Sequence, residues 1–376
     1  MKETLNIGLI GLSFMGKAHT NAWIDVPFHF ELPYLLVRKT ACDINAETAS
    51  AFAGKFGWKE IATDWEKVVN RDDIGVIDIC TSNQSHMPIA VEAAKNGKHV
   101  LCEKPISRNA DEARRMLDAA LEADIRHMVA FNYRRVPAIA LAKKMIEDNK
   151  LGEIRHFNAV YYQDWLIDPA FPYVWRHDVK ESGSGAHGDM NAHTVDLARY
   201  LVGEFEAVCG DEKIFIKERQ VAGTGKMAEV TADDAITFMA RFRDGAVGTF
   251  MATRYATGRK NYLRLEIFGS KGSLVFNLER LNEIDFYSNE EEIAEQGFRN
   301  ILVTESAHPY IDTWWPPGHI IGWEHTFIHE IADLLKAIGR KENATPDFYD
   351  GLRCQQVLDA VMQSAHEQKW ITIPEK

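Results

Sequence analysis

Gly8-Leu9-Ile10-Gly11-Leu12-Ser13-Phe14-Met15-Gly16 lies at the start of a 376-residue chain, and Asp43 closes the next apolar run. Residues 6–10 read as a buried parallel strand, and a helix begins near Phe14. A glycine-rich turn between such elements lets main-chain N–H groups approach a pyrophosphate at the positive end of the helix. Gly11, Ser13, Phe14, Met15 and Gly16 are therefore the candidate phosphate cradle. Asp43 is the candidate for the ribose hydroxyls, and its charge would repel a 2′-phosphate, so the expected cofactor is NAD. Ser13 stands where the usual pattern has its middle glycine. The stretch from Gly16 to Asp43 also exceeds the roughly 20 residues of the usual spacing. An aromatic insertion over residues 25–36, carrying Pro27 and Pro33, accounts for the excess and is expected to be non-helical.

Strand and helix alternate through the first 130 residues. Strands are expected over 40–43, 76–80, 99–102 and 127–130, and helices over 46–56, 88–96 and 110–123. Asn45 and Asn109 are helix caps and Gly57 and Gly97 helix stops. This alternation predicts a doubly wound parallel sheet, a Rossmann domain over 1–130. Beyond residue 150 long strands come in hairpin pairs: 234–242 with 246–254 around Arg243-Asp244-Gly245, and 262–268 with 273–278 around Gly269–Gly272. The second domain, 131–376, is expected to be α+β with a large, mostly antiparallel open sheet. Along 235–242 both alternating faces read as apolar, which predicts a homo-oligomer, a dimer or tetramer, built on that sheet.

The formal charge is −12, which argues against nucleic acid and anionic membrane surfaces. No apolar run approaches the ~20 residues of a membrane span. The start of the chain fits no signal peptide, and none of the five cysteines forms a Cys-x-x-Cys pair, so a cytoplasmic chain with reduced thiols is expected. The histidines show no zinc spacing, and no metal is expected.

Several groups could carry chemistry. Glu103-Lys104-Pro105 follows a parallel strand at its carboxyl end, where open α/β sheets bind ligands. Thr81-Ser82-Asn83-Gln84-Ser85-His86 follows the neighbouring strand, and Thr81, Asn83 and His86 could meet the cofactor. Asp189 and His193, four apart, would stack on one helix face, where a carboxylate can orient a basic imidazole. Tyr161-Tyr162-Gln163-Asp164-Trp165, Trp175-Arg176 and Trp314-Trp315 put aromatic rings among polar groups, as sugars require.

Taken together, Gly11–Gly16 with His19, Glu103-Lys104-Pro105 and Asp189-x-x-x-His193 resemble the Gfo/Idh/MocA oxidoreductases over essentially the whole chain. Within that family the closer likeness is to the branch that oxidises C3 of glucose-like rings, the levoglucosan dehydrogenases and their relatives. It is carried by residues 14–19, 128–135, 163–165 and 198–205. The resemblance implies Lys104, Asp189 and His193 as catalytic residues. It implies Glu103, Lys104, Asn132, Trp175 and Arg176 on the cofactor. It implies Lys104, Asn132, Gln163, Trp165, Asp189 and His193 on the sugar, and a cis bond before Pro105. Lys104 and His193 both remain candidates to take the hydroxyl proton. Ser13 and His187 depart from the family, the latter raising the expectation of an altered substrate. The leading reading is an NAD-dependent sugar 3-dehydrogenase. An inositol 2-dehydrogenase and a non-catalytic NAD-sensing regulator are the alternatives.

Overall fold

A computed structural model describes residues 2–375, which form two compact units. The first contains the residues up to Asn132 together with Gly322–Gln355. Its chain runs β1 (Glu3–Ile10), α1 (Phe14–His29), β2 (Tyr34–Cys42), α2 (Ala46–Phe56), β3 (Glu60–Ala62), α3 (Trp65–Val69), β4 (Val76–Ile79), α4 (Asn83–Lys95), β5 (His99–Cys102), α5 (Ala110–Glu122) and β6 (His127–Val129). The six strands make one parallel sheet in the order β3-β2-β1-β4-β5-β6. Val76, Ile77, Asp78 and Ile79 of β4 are all buried, because helices cover both faces. The strand order reverses between β1 and β4, so the carboxyl ends of these two strands form the crevice of a doubly wound sheet.

The insertion is partly helical, contrary to the expectation from its prolines. Helix α1 runs on through Pro27 to His29, and Phe30 N–H closes its last turn on Val26 O at 3.0 Å. Val26, fully buried, anchors that turn, and a proline there forfeits only one helical hydrogen bond near the end.

The second unit contains Tyr133–Ile321 and the residues from Gln356 onward. Its elements are α6 (Pro137–Glu147), β7 (Ile154–Tyr162), α7 (Val179–Ser182), α8 (Ala192–Leu201), β8 (Phe205–Lys213), β9 (Glu218–Gln220), β10 (Met227–Glu229), β11 (Ala235–Phe242), β12 (Val247–Thr253), β13 (Tyr262–Gly269), β14 (Gly272–Asn277), β15 (Glu283–Ser288) and β16 (Arg299–Leu302). Segment Gly322–Gln355 returns to the first unit with α9 (His325–Arg340) and the start of α10 (Phe348–Glu367), and β17 (Ile371–Thr372) ends the second. There Val129 N–H donates to Pro346 O at 3.0 Å.

Nine strands form the second sheet, ordered β16-β15-β14-β13-β7-β12-β11-β8-β17, and only the β7–β12 pair is parallel. Both expected hairpins are present, and Gly245 turns the first at φ +90°. From Ile236 onward strand β11 alternates. Ile236, Phe238, Ala240 and Phe242 are buried, and Phe238 stacks on its cross-strand partner Phe250 with ring centroids 4.4 Å apart. Thr237, Met239 and Arg241 point the other way and are exposed. That outer face is therefore mixed, with Met239 as its exposed apolar residue on this strand. The short β9–β10 pair was not foreseen.

Candidate active site

Gly11, directly after β1, donates its N–H to Cys42 O at 2.9 Å. Its φ is +94°, and a Cβ there would lie 2.6 Å from the Cys80 carbonyl. Gly16 is tighter still, since a Cβ would lie 2.2 Å from Gly11 O. The turn is thus a main-chain surface pressed against the first turn of α1. Ser13 precedes α1 at φ −80° with its side chain exposed, and its hydroxyl caps no helical N–H group. Serine is unstrained there and leaves the leading N–H groups of α1 to a ligand anion. Asp43 follows β2, anchored by its N–H to Ala62 O at 3.1 Å, and its Oδ1 accepts from Asn45 N–H at 3.0 Å. Phe14 is two-thirds exposed and stacks on Trp323 at 5.5 Å, and Met15 follows it half-buried. These features fit a dinucleotide: a cradle that side chains would fill, an unused helix end and a carboxylate beyond the neighbouring strand.

The loops after β4 and β5 are tied to one another. His86 is fully buried, with Nδ1 3.0 Å from Pro105 O and Nε2 3.2 Å from Thr81 O. It braces the loops that carry Thr81 and Lys104. Asn83 is buried in the first turn of α4, and Ser85 Oγ donates to Thr81 Oγ1 at 2.7 Å. Lys104–Pro105 is a cis peptide, as the resemblance implied. Asn132 is buried, and its Nδ2 donates to Thr326 Oγ1 at 2.8 Å.

Asp189 and His193 lie in the second unit, and the element carrying them differs from the expected uniform α-helix. His187–Asn191 is a turn of π-helix that runs into α8. The wider turn changes the phase between positions four apart, and such turns mark functional sites. Its start is clamped by Asp233, whose carboxylate accepts from Gly185 N–H at 2.5 Å and His187 N–H at 2.8 Å. Only glycine fits at 185, since a Cβ would lie 1.8 Å from Asp233 O.

His193 is 5 % exposed, and its ring lies 4.3 Å from that of Tyr133. A polar rail continues from there. Tyr133 Oη is 3.0 Å from Tyr161 Oη, Tyr161 donates to Asn261 Oδ1 at 2.7 Å, and Gln163 Nε2 donates to the same oxygen at 3.0 Å. Trp165 Nε1 completes it by donating to Gln163 Oε1 at 3.0 Å. Burial, with Tyr133 beside it, pushes the Tyr161 phenol well up, so it stays a hydroxyl. Asp164 binds Lys260 Nζ at 2.7 Å and Gly258 N–H at 3.0 Å, which hold its carboxyl below the usual range.

Arg254 is the residue the sequence reading missed. It follows β12, is 2 % exposed, and Nη2 donates to Asp189 Oδ2 at 2.9 Å and Gly185 O at 3.2 Å. Its guanidinium also lies 5.3 Å from the Trp165 ring centroid. One cation thus fixes both a candidate catalytic carboxylate and a candidate sugar platform. Nothing local signals this, because Asp189 is 65 positions away. Arg254→Met is expected to raise the KM for the sugar about 10- to 100-fold, the worth of a charge-assisted hydrogen bond of about 1.5–3 kcal/mol. NADH affinity should stay unchanged by fluorescence titration. A wild-type KM would remove Arg254 from the site.

The remaining candidate residues lie on further elements of the second unit. Trp175 and Arg176 sit in a short 3-10 turn of the second unit, the guanidinium 4.4 Å over the indole. Trp314 ends another such turn, and Trp315 beside it is half exposed. Arg134 binds Asp196 through two hydrogen bonds of 2.8 and 2.5 Å, which neutralises its charge. His187 belongs to the interior. Its Nε2 faces Leu358 O at 3.0 Å, and Nδ1 takes a hydrogen bond from Asn191 Nδ2 at 3.1 Å. Burial lowers its pKa, which agrees with a neutral ring used for packing.

Two family models match the chain. The oxidoreductase family with an NAD-binding Rossmann fold covers residues 5–131, and the GFO/IDH/MocA C-terminal domain covers 139–275. Levoglucosan dehydrogenase of Pseudarthrobacter phenanthrenivorans is 43 % identical, over 99 % of this chain and 99 % of its own length. A solved levoglucosan dehydrogenase in complex with NADH and levoglucosan is 44 % identical, with full coverage of both chains and a TM-score of 0.96. An oxidoreductase domain protein from Kribbella flavida is 48 % identical at a TM-score of 0.96, covering 99 % of this chain and all of its own.

Proposed function

We propose that this NAD-dependent sugar dehydrogenase, which belongs to the GFO/IDH/MocA oxidoreductase family, oxidises C3 of a neutral pyranose or glycoside, such as levoglucosan or a glucoside, to a keto sugar. The observation that carries the reading is the rail of uncharged donors and acceptors from Tyr133 to Trp165. It is matched to ring hydroxyls and a sugar face, and beside it Arg134 is already consumed by Asp196. Such a surface suits the vicinal hydroxyls and ring face of a sugar.

NAD supplies the hydride acceptor. Gly11, Ser13, Phe14, Met15 and Gly16 hold its pyrophosphate, and Asp43 its adenosine ribose. Lys104 donates a hydrogen bond to the reacting hydroxyl oxygen and stabilises the alkoxide that forms. His193 accepts the hydroxyl proton as general base. Asp189, held by Arg254, accepts from the neighbouring hydroxyl and fixes which carbon is presented. Alcohol and NAD⁺ thus yield ketone, NADH and one proton. The levoglucosan dehydrogenase relatives support a sugar ring as substrate, and the choice of C3 rests on the likeness of the sequence to the branch that oxidises that carbon.

The test is a spectrophotometric screen with NAD against levoglucosan, methyl glucosides, free glucose, myo-inositol and glucose 6-phosphate, followed by NMR of the product. A ring ketone at C3 is expected. A lactone, or activity confined to inositols or sugar phosphates, overturns the reading.

The uncovered face of the nine-stranded sheet would seat a second copy of the chain. Met239 and Val247 there are 50 % and 44 % exposed, and Val160, Met251 and Val275 continue the patch across paired strands. Light scattering at micromolar concentration should give a dimer or tetramer, and Met239→Arg should lower the mass. A monomeric wild-type mass overturns this. Among the described residues no helix is long and apolar enough to cross a membrane.

A further inference from the structure

We infer that His19 is a positioning residue for Lys104, acting as an imidazolium clamped between Asp78 and Glu103. The inference rests on the proposed role of Lys104. Helix α1, brought close by Gly16, turns His19 and Trp23 inward from one face, and both are fully buried. His19 Nδ1 lies 2.9 and 3.1 Å from the two oxygens of Asp78 on β4. Nε2 lies 3.0 Å from Glu103 Oε1, directly after β5. A carboxylate only accepts, so a ring with a carboxylate at each nitrogen must donate from both, and only the imidazolium does. The other groups facing this ring agree with that state. Trp23 Nε1 donates to Asp78 Oδ2 at 2.7 Å, the Cys80 thiol approaches Asp78 Oδ1 at 3.6 Å, and the Phe327 ring of α9, 5.3 Å away, is apolar.

The second oxygen of Glu103 links the ring to the site. Glu103 Oε2 accepts the main-chain N–H of Lys104 at 2.9 Å. The peptide is gripped from its far side as well, where His86 faces Pro105 O. Asp78, His19, Glu103 and Lys104 thus alternate in charge from under the sheet to the reacting lysine. Without the ring, two buried carboxylates would face each other. One would then take up a proton and the Glu103 side chain would lose its anchor. Burial alone would lower the pKa of His19, but the Asp78 carboxylate outweighs it and holds the pKa well above the ordinary value. Ligand atoms of His19, Asp78 and Cys80 also lie within 4.8 Å of one another, the spacing of a metal site. Burial and Asp78 push the Cys80 thiol far up, however, so it stays protonated and the cluster is a hydrogen-bond relay.

The experiment uses the full chain with NADH bound. Ring ¹⁵N resonances of His19, assigned by their loss in His19→Gln, should show both nitrogens protonated at pH 8. A neutral ring overturns the inference. His19→Gln should lower kcat about 10- to 100-fold, as a small misplacement of a reacting group does, with the NADH dissociation constant within twofold. In a Lys104→Met background the same change should cost nothing further. An equal loss in both backgrounds would mean a merely structural role and sink the proposal. Should His19→Gln fail to fold, Asp78→Asn lowers the ring's pKa and serves instead. The ring's contribution is present below its pKa and lost above it, so kcat of this variant relative to the wild type should fall between pH 6 and 8, the ratio removing any titration that the two share. Identical profiles overturn the inference. If Lys104→Met alone kept full activity, the lysine's proposed role would fail and His19 with it as a catalytic aid, while the ring resonances would still report its charge.

Discussion

Lys104→Met and His193→Asn are each expected to lower kcat on the sugar about 10²- to 10⁴-fold, the usual contribution of a positioned acid or base. Neither should change the NADH dissociation constant more than about twofold, since both are proposed to act on the sugar hydroxyl and neither belongs to the candidate pyrophosphate turn. The two losses have different origins. Lys104 stands just past β5, on a peptide held by Glu103 and by His86, and in the proposed mechanism loss of its ammonium would remove the stabilisation of the alkoxide. His193 opens α8, nearly buried against Tyr133, and loss of its imidazole would remove the proposed proton acceptor. Steady-state kinetics with NAD, alongside fluorescence titration of NADH, separate chemistry from binding. If the two groups act on one hydroxyl, as proposed, the double variant should lose much less than the product of the single losses. Near-wild-type turnover in either single variant would strip that residue of its role.

The local features of this chain were legible in its sequence, and the long-range ones were not. The β1–α1 turn could be read because strand burial, glycine placement and helix start fall within a dozen residues. Both hairpins could be read for the same reason, with Gly245 supplying the positive φ that its turn needs. The π turn at His187–Asn191 could not, because Asp233, which clamps it, lies about 45 residues downstream. Arg254 was invisible for a like cause, as was the return of Gly322–Gln355 to the first unit, where Thr326 meets Asn132 across 194 positions. Helix α1 overran its expected end because Val26 buries fully and outweighs the missing N–H of Pro27. His19 was visible as part of a motif, but its purpose was not. Its partners come from the ends of two other strands, and no periodicity within α1 encodes them.

Gly16→Ala is expected to weaken NADH binding about 10- to 100-fold. The methyl carbon would lie 2.2 Å from Gly11 O, a main-chain atom that cannot rotate away. Gly11 is itself held, by its N–H on Cys42 O and by the Cys80 carbonyl at its back. The clash can therefore relax only by lifting α1 from the turn or by straining the turn. Strain of this kind costs about 1–3 kcal/mol, and each 1.4 kcal/mol is a factor of ten in affinity. Lifting α1 would also carry its leading N–H groups away from the bound anion and pull His19 from Asp78, so some loss of thermal stability should accompany the loss of affinity. Ser13→Gly is the control. Its φ of −80° suits any residue and its side chain is exposed, so the change should alter NADH affinity less than about threefold. Calorimetric titration of NADH into the two variants decides the matter. Wild-type affinity in Gly16→Ala would mean that this turn does not hold the pyrophosphate, and a large loss in Ser13→Gly would mean that the serine hydroxyl, rather than the main chain alone, holds the phosphate.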